Sequence, residues 1–300
     1  MKLPGALEER IVCVHGERGR LWLADLPALL DEFRERWSLE LGEPFAELSY
    51  NLVFPARDRQ GTDVVLKLGV LCDELLTEAS ALASWEGEGA VRLLAHDAAR
   101  GALLLERALP GAPLYTELND AEATREAARL MRRLWREAPP GHAFPSLARW
   151  FRAFERLRQN FDSASGPFPV RLAARAEQTF LELNATAGRE VLLHGDLHHM
   201  NVLSSARGGW LAIDPKGICG DPGYEVGPFM LNRLPDEATD DALRETFRRR
   251  LSIFSEELNI EGRRLARWAF CHAMLSALWD LEESADWSRT VRLARLLGEL

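Results

Sequence analysis

Two stretches of this 300-residue chain set polar residues directly behind short apolar runs. In VLLHGDLHHMN an apolar run leads into His194, Asp196, His198, His199 and Asn201, and in LAIDPKG a second run ends on Asp214. Two strand ends would then present carboxylate and amide oxygens to one place. Phosphoryl transfer needs that inventory: a carboxylate to orient and deprotonate the attacking hydroxyl, and oxygen ligands for the magnesium that neutralises a triphosphate. The D-x4-N spacing followed by an Asp is that of a kinase catalytic loop and its metal-binding Asp.

Other readings compete. An Asx turn at a strand end explains one such cluster, but not two at kinase spacing, each behind an apolar run. Three imidazoles and a carboxylate within HGDLHH suggest a zinc hydrolase, yet the motif is not HExxH and no cysteine ligand lies nearby. His194 reads as a structural imidazole that fixes the loop backbone. His198 and His199 carry no assigned role.

A second candidate centre lies upstream. Lys67 sits among leucines in VVLKLGV, and a lysine on a buried strand is costly unless its charge is paired. A solvated edge position would explain it. In a kinase the ammonium instead steadies nucleotide phosphates and is held by a glutamate on the next helix. Glu78 fits that partner, with Glu74 one turn away as the competitor.

The elements that must position these groups follow from periodicity. Residues 25–37 carry Leu26, Leu29, Leu30, Phe33 and Trp37 at helical spacing behind a candidate N-cap, Asp25. LSYNLVF (48–54) and VVLKLGV (64–70) read as a β-hairpin around Gly61. An amphipathic helix over 73–85 and short strands near 91–94 and 102–106 follow. Pro110, Gly111 and Pro113 break the pattern and mark a lobe boundary, giving a unit over 1–107 and another over 108–300. Beyond it the chain reads as helices near 120–137, 146–160, 170–187, 241–257, 261–284 and 287–298, interrupted by the two β-like runs of 189–235. The glycines and prolines after Asp214 argue against regular structure there.

HGDLHHMN and IDPKG, with VVLKLG, EGEGAVRLLAHD and LLLERALPG, resemble the aminoglycoside phosphotransferase family of kinase-like enzymes, in its streptomycin 6-phosphotransferase and hydroxyurea phosphotransferase branch. The resemblance runs from about residue 45 to the C-terminus. It implies an α+β, bilobal protein-kinase-like fold with a small β-rich N-lobe and a larger, mainly helical C-lobe. It also implies a small-molecule kinase that uses ATP and Mg2+, with Asp196 as catalytic base and Asn201 and Asp214 as metal ligands. A G-x-G-x-x-G loop is missing, so phosphate contacts would come from Ser49, Tyr50 and Asn51 in the hairpin. Glu106 and Ala108 stand where an inter-lobe hinge offers main-chain groups to adenine.

The acceptor is less defined. Asp221, Glu225 and Asn232 in the loop after Asp214, and Asp280 beside Trp279 in the C-terminal helical region, suit a hydroxyl-bearing, cationic substrate; backbone satisfaction or a solvated helix face explains them too. The implied acceptor is a streptomycin-type aminoglycoside or hydroxyurea. Kinases of choline, homoserine or a sugar, or a catalytically silent nucleotide-binding protein, are the alternatives. A net charge of -9 argues against phosphate-driven nucleic-acid binding. Four scattered cysteines signal neither a zinc site nor a disulfide framework and fit a reducing cytoplasm. No membrane-spanning run is evident. A monomer or a homodimer is expected.

Overall fold

The computed structural model describes residues 5–46, 50–161, 165–283 and 285–300. The chain divides into two compact units, Met1–Leu109 and Pro110–Leu300, with the division between Leu109 and Pro110 rather than after residue 107.

The N-terminal unit is built on a five-stranded antiparallel sheet in the order Glu40–Leu41, Leu52–Arg57, Asp63–Leu68, Ala102–Glu106 and Leu93–Asp97. The hairpin pairs Leu52 with Leu68 and Arg57 with Asp63. Its turn is closed by Asp58, whose Oδ1 accepts the N–H groups of Gln60 and Thr62 at 2.9 and 2.8 Å. Alternation along these strands decides the rest. Leu52, Phe54, Ala56, Val64, Leu66 and Leu68 share one buried face, packed against Leu26, Leu29, Leu30 and Phe33. Lys67, between two of them, must point to the other face.

The helix expected over 25–37 is longer than its pattern showed. It spans Gly5–Arg36, interrupted at Gly16 (φ 57°, ψ -130°), so Asp25 lies inside it rather than at an N-cap, and Pro27 lies inside it too. The proline ring forfeits one helical hydrogen bond, at about 3 kcal/mol. Burying several leucines and Phe33 at roughly 1.5–3 kcal/mol each outweighs that. The strand expected at 91–94 forms slightly later, at Leu93–Asp97.

The C-terminal unit is mainly helical. Its longest helix, Gly262–Glu282, is buried along most of its length from Leu265 to Leu278. It packs against Val170–Ala185, Asp240–Leu258 and Ser288–Gly298. Asp120–Leu134 begins with a capping box in which Asn119 accepts from the backbone and Glu122 returns the bond. The helix expected over 146–160 is two, Leu147–Phe151 and Ala153–Asn160.

Two small antiparallel sheets frame the polar clusters. Val191–Leu193 pairs with Ile218–Gly220, and Val202–Ser205 lies between Pro110–Pro113 and Gly209–Ala212. The stretch after Asp214, read from its glycines and prolines as irregular, therefore contains a strand, Ile218–Gly220, and a helix, Val226–Leu231. Gly227 explains the error. A side-chain carbon there would come within 2.5 Å of the His272 side chain, so this glycine serves close packing inside a helix, not a break.

Candidate active site

Both clusters are turns whose two ends are strands. Residues 194–201 connect Val191–Leu193 to Val202–Ser205, and residues 213–217 connect Gly209–Ala212 to Ile218–Gly220. The ladders bring the turns together, and backbone bonds lock them: Ile213 N–H donates to the Asn201 carbonyl at 3.0 Å, and Lys216 N–H to the His194 carbonyl at 2.8 Å.

His194 joins the two turns through its ring. Nδ1 accepts the N–H of Asp196 at 3.2 Å, so Nε2 carries the proton and donates to the carbonyl of Ile213 at 2.9 Å. The imidazole is fully buried, and burial lowers its pKa to about 4. A neutral ring is what this acceptor-plus-donor geometry requires. Gly195 has φ +84°, and a Cβ there would strike Ile218 at 2.5 Å, so the position between His194 and Asp196 admits only glycine.

Asp196 keeps 35% of its side chain accessible, enough for a substrate hydroxyl to reach it. Asn201, nearly buried, donates its amide Nδ2–H to the Asp196 carbonyl at 3.0 Å. That bond fixes which way the amide faces and turns Oδ1 away from the Asp196 carbonyl. Asp214 is exposed and holds a left-handed backbone, φ 59°. For a residue with a Cβ that conformation is strained, and it recurs at functional sites.

The three imidazoles of HGDLHH go to different places. His194 is consumed as described. His199 stacks on Phe229 with ring centroids 3.8 Å apart, and burial lowers its pKa to about 3. His198 sets Nε2 3.9 Å from Oδ1 of Asp196 and accepts the Met200 N–H on Nδ1. Among the described residues no three His, Cys, Asp or Glu side chains converge as a metal site. Asn201 and Asp214 offer two hard oxygen donors. That suits magnesium, which takes one or two protein ligands and completes its shell with phosphates and water.

The groups assigned to the acceptor are mostly spent on the frame. Glu225 is completely buried, and its two oxygens accept the N–H groups of His194 and Gly195, each at 2.8 Å. Burial pushes its carboxyl up to about 7 against the pull of those two bonds. Asp221 accepts the Gly223 N–H at 2.7 Å and pairs with Arg264. The Asn232 carbonyl takes a bond from the buried Arg250 at 3.0 Å, and its side chain lies beside His199. Asp280 accepts from the Thr290 hydroxyl at 2.7 Å. Burial raises its pKa, the Thr290 bond opposes this, and nearby Glu283 and Asp286 add to it. The clamp formed by Glu225 was invisible in sequence, because only the fold brings PGYEVG to the HGD turn.

In the N-terminal unit, Lys67 Nζ reaches both oxygens of Glu78 at 2.8 and 2.7 Å, and both residues are buried. Glu74 is exposed. Asn51 is half-buried, with Oδ1 where a Cβ on Gly69 would lie. Ser49 lies outside the described residues. Glu106 closes a loop by accepting the Arg92 N–H at 3.0 Å, and Ala108 is buried just past its strand.

A family model described as "Aminoglycoside/hydroxyurea antibiotic resistance kinase" matches residues 36–284. The chain is 32% identical to a streptomycin 6-kinase of Streptomyces glaucescens, over 95% of this chain and 92% of that protein. It is 33% identical to a hydroxyurea phosphotransferase of Kitasatospora aureofaciens, over 99% and 86% respectively. Among solved structures, a choline/ethanolamine kinase family protein from Mesorhizobium loti superposes with a TM-score of 0.62 at 16% identity, covering 91% of this chain and 95% of that one. At that identity the likeness shows the fold, which is protein-kinase-like. Among the described residues no helix is long and apolar enough to cross a membrane.

Proposed function

Because the chain belongs to the aminoglycoside/hydroxyurea antibiotic resistance kinase family, we propose that it transfers the γ-phosphate of ATP to a hydroxyl of a small antibiotic, a streptomycin-type aminoglycoside or hydroxyurea. The observation that carries this reading is the turn pair held by His194, in which Asp196, Asn201 and Asp214 share one rigid frame.

Each residue has a part in that reaction. Asp196 accepts the proton of the attacking hydroxyl. Asn201 Oδ1 and the Asp214 carboxylate would hold the metal, and Lys67, kept in place by Glu78, would steady the phosphates. Bound there, Mg2+ and ATP supply the phosphoryl group and the charge that offsets the triphosphate. Asn51, Glu106 and Ala108, together with Ser49, serve the nucleotide in this reading. Asp280 remains the carboxylate available to an acceptor. Asp221, Glu225 and Asn232 act through the loops they brace. Phosphoryl transfer gains mainly from positioning and electrostatics, so such bracing bears directly on rate.

Purified protein with Mg-ATP, offered a panel of aminoglycosides, hydroxyurea, choline, homoserine and sugars, should release ADP with an antibiotic acceptor. Release only with a metabolite would move the assignment to metabolite phosphorylation. Nucleotide binding without release on any acceptor would mark a silent nucleotide-binding protein.

A further inference from the structure

The C-terminal unit holds two half-buried tryptophans that the catalytic turn alone does not explain. Trp150 sits in Leu147–Phe151 and Trp279 near the end of Gly262–Glu282. Their ring centroids are 5.3 Å apart with planes at 83°, the edge-to-face arrangement aromatic pairs prefer. The pair adjoins the chemistry. A side-chain carbon on Gly195 would lie 3.2 Å from Cη2 of Trp150, so this indole tip rests on the backbone one residue before Asp196.

Two buried rings hold the indoles from behind. Tyr224 meets Trp150 edge-on at 6.1 Å, and its hydroxyl bonds Nδ1 of His272 at 2.8 Å. His272 in turn lies 6.1 Å from Trp279. Four aromatic rings thus form one continuous wall. Its inner members, Tyr224 and His272, are buried, and its outer members, the indoles, are half-buried, with the Trp150 tip against the base-bearing turn. Asp280 follows Trp279 directly in the chain, and Glu283 and Asp286 lie close enough to act on it, so this end of the helix carries negative charge. An indole next to carboxylates attracts a cation, and a bound cation over its face is favoured by the ring quadrupole.

We propose that Trp150 and Trp279 form the acceptor wall of this site and select an acceptor carrying a cationic group, which packs on the indoles while its hydroxyl meets Asp196. This rests on the phosphotransfer reading above. The test is calorimetric titration of streptomycin, as the cationic probe, into the full chain with magnesium and a non-hydrolysable ATP analogue. Trp150→Ala and Trp279→Ala should each weaken streptomycin binding about tenfold. Trp150→Phe, which keeps a ring, should recover most of the loss, and the affinity for the nucleotide analogue should stay within about twofold in all three. Unchanged streptomycin affinity in both alanine variants, an equal loss of nucleotide affinity, or a wild-type protein that binds no streptomycin would each overturn the wall. Phosphate transfer is measured separately on the same preparations. A wild-type protein that binds streptomycin but releases no ADP overturns the phosphotransfer reading and leaves the binding result to decide the wall.

Discussion

Each unit buries a polar centre at its candidate site, and the two solve the problem of burial differently. In the N-terminal unit Lys67 and Glu78 neutralise each other in a two-pronged ion pair. In the C-terminal unit the buried groups, His194 and Glu225, pair mainly with backbone: the imidazole ties Asp196 to Ile213, and the carboxylate grips two consecutive N–H groups. The first arrangement fixes one charge in place. The second fixes a stretch of chain, and with it the direction of Asp196, Asn201 and Asp214. Removing a member should therefore do different damage in the two centres.

The largest effect is expected at a proposed metal ligand. Asp214→Ala should lower transfer at least about a hundredfold, since metal stabilisation of the transition state is worth several kcal/mol. Its melting temperature should hold or fall slightly, because a φ of 59° suits alanine no better than aspartate. An unchanged rate would remove Asp214 from the metal site.

Next come the two anchors. Glu225→Ala strands two buried N–H donors and should cost about 2–6 kcal/mol of stability, at roughly 1–3 per unpaired group. Glu78→Ala leaves Lys67 buried without its carboxylate and should cost about 3–5 kcal/mol. Denaturant unfolding separates them from a null effect. The comparison sharpens when transfer is measured on whatever remains folded. Glu225→Ala should impair kcat, because the catalytic turn loosens, whereas Glu78→Ala should raise the KM for ATP. The reverse pattern would break the distinction between a held charge and a held backbone.

The smallest effect is a pH dependence. Glu225 titrates near 7 in the folded protein against an ordinary 4.5. The folded state therefore keeps a proton that the unfolded chain releases between those values. The contribution is present in full below about pH 4.5 and is lost as pH rises through 7. Glu225→Gln should flatten that slope in urea titrations between pH 5 and 8. Buried histidines act in the opposite sense. His194 titrates near 4, and His199 and His272 near 3. Their contributions are present above pH 6.5 and are lost as pH falls through those values. A Glu225→Gln protein with the wild-type slope would contradict the clamp.

These centres were not equally legible in the sequence. Lys67 announced itself because a cation inside VVLKLG demands a partner, and the helical pattern after it supplied Glu78. The catalytic turns were legible because polar residues at kinase spacing followed apolar runs. Glu225 was not, because its role depends on a return of the chain that places PGYEVG under HGD, and no local pattern encodes that return. Gly227 misled for a related reason. A glycine needed for close approach to His272 looks, in sequence, like one needed for a turn. The first helix was underestimated because Gly16 and Pro27 interrupt its pattern while packing on the sheet sustains it. Trp150 falls in a stretch with a helical pattern, and only the fold sets it against Gly195.

The account stands or falls on Asp196. Wild-type protein and Asp196→Asn, matched in melting temperature and in affinity for a non-hydrolysable ATP analogue, should be compared for phosphate transfer to streptomycin and hydroxyurea under identical Mg-ATP. Loss of roughly 10²–10⁴-fold in kcat, the range for a general base, is the predicted result. Full turnover by Asp196→Asn on either acceptor would contradict the mechanism.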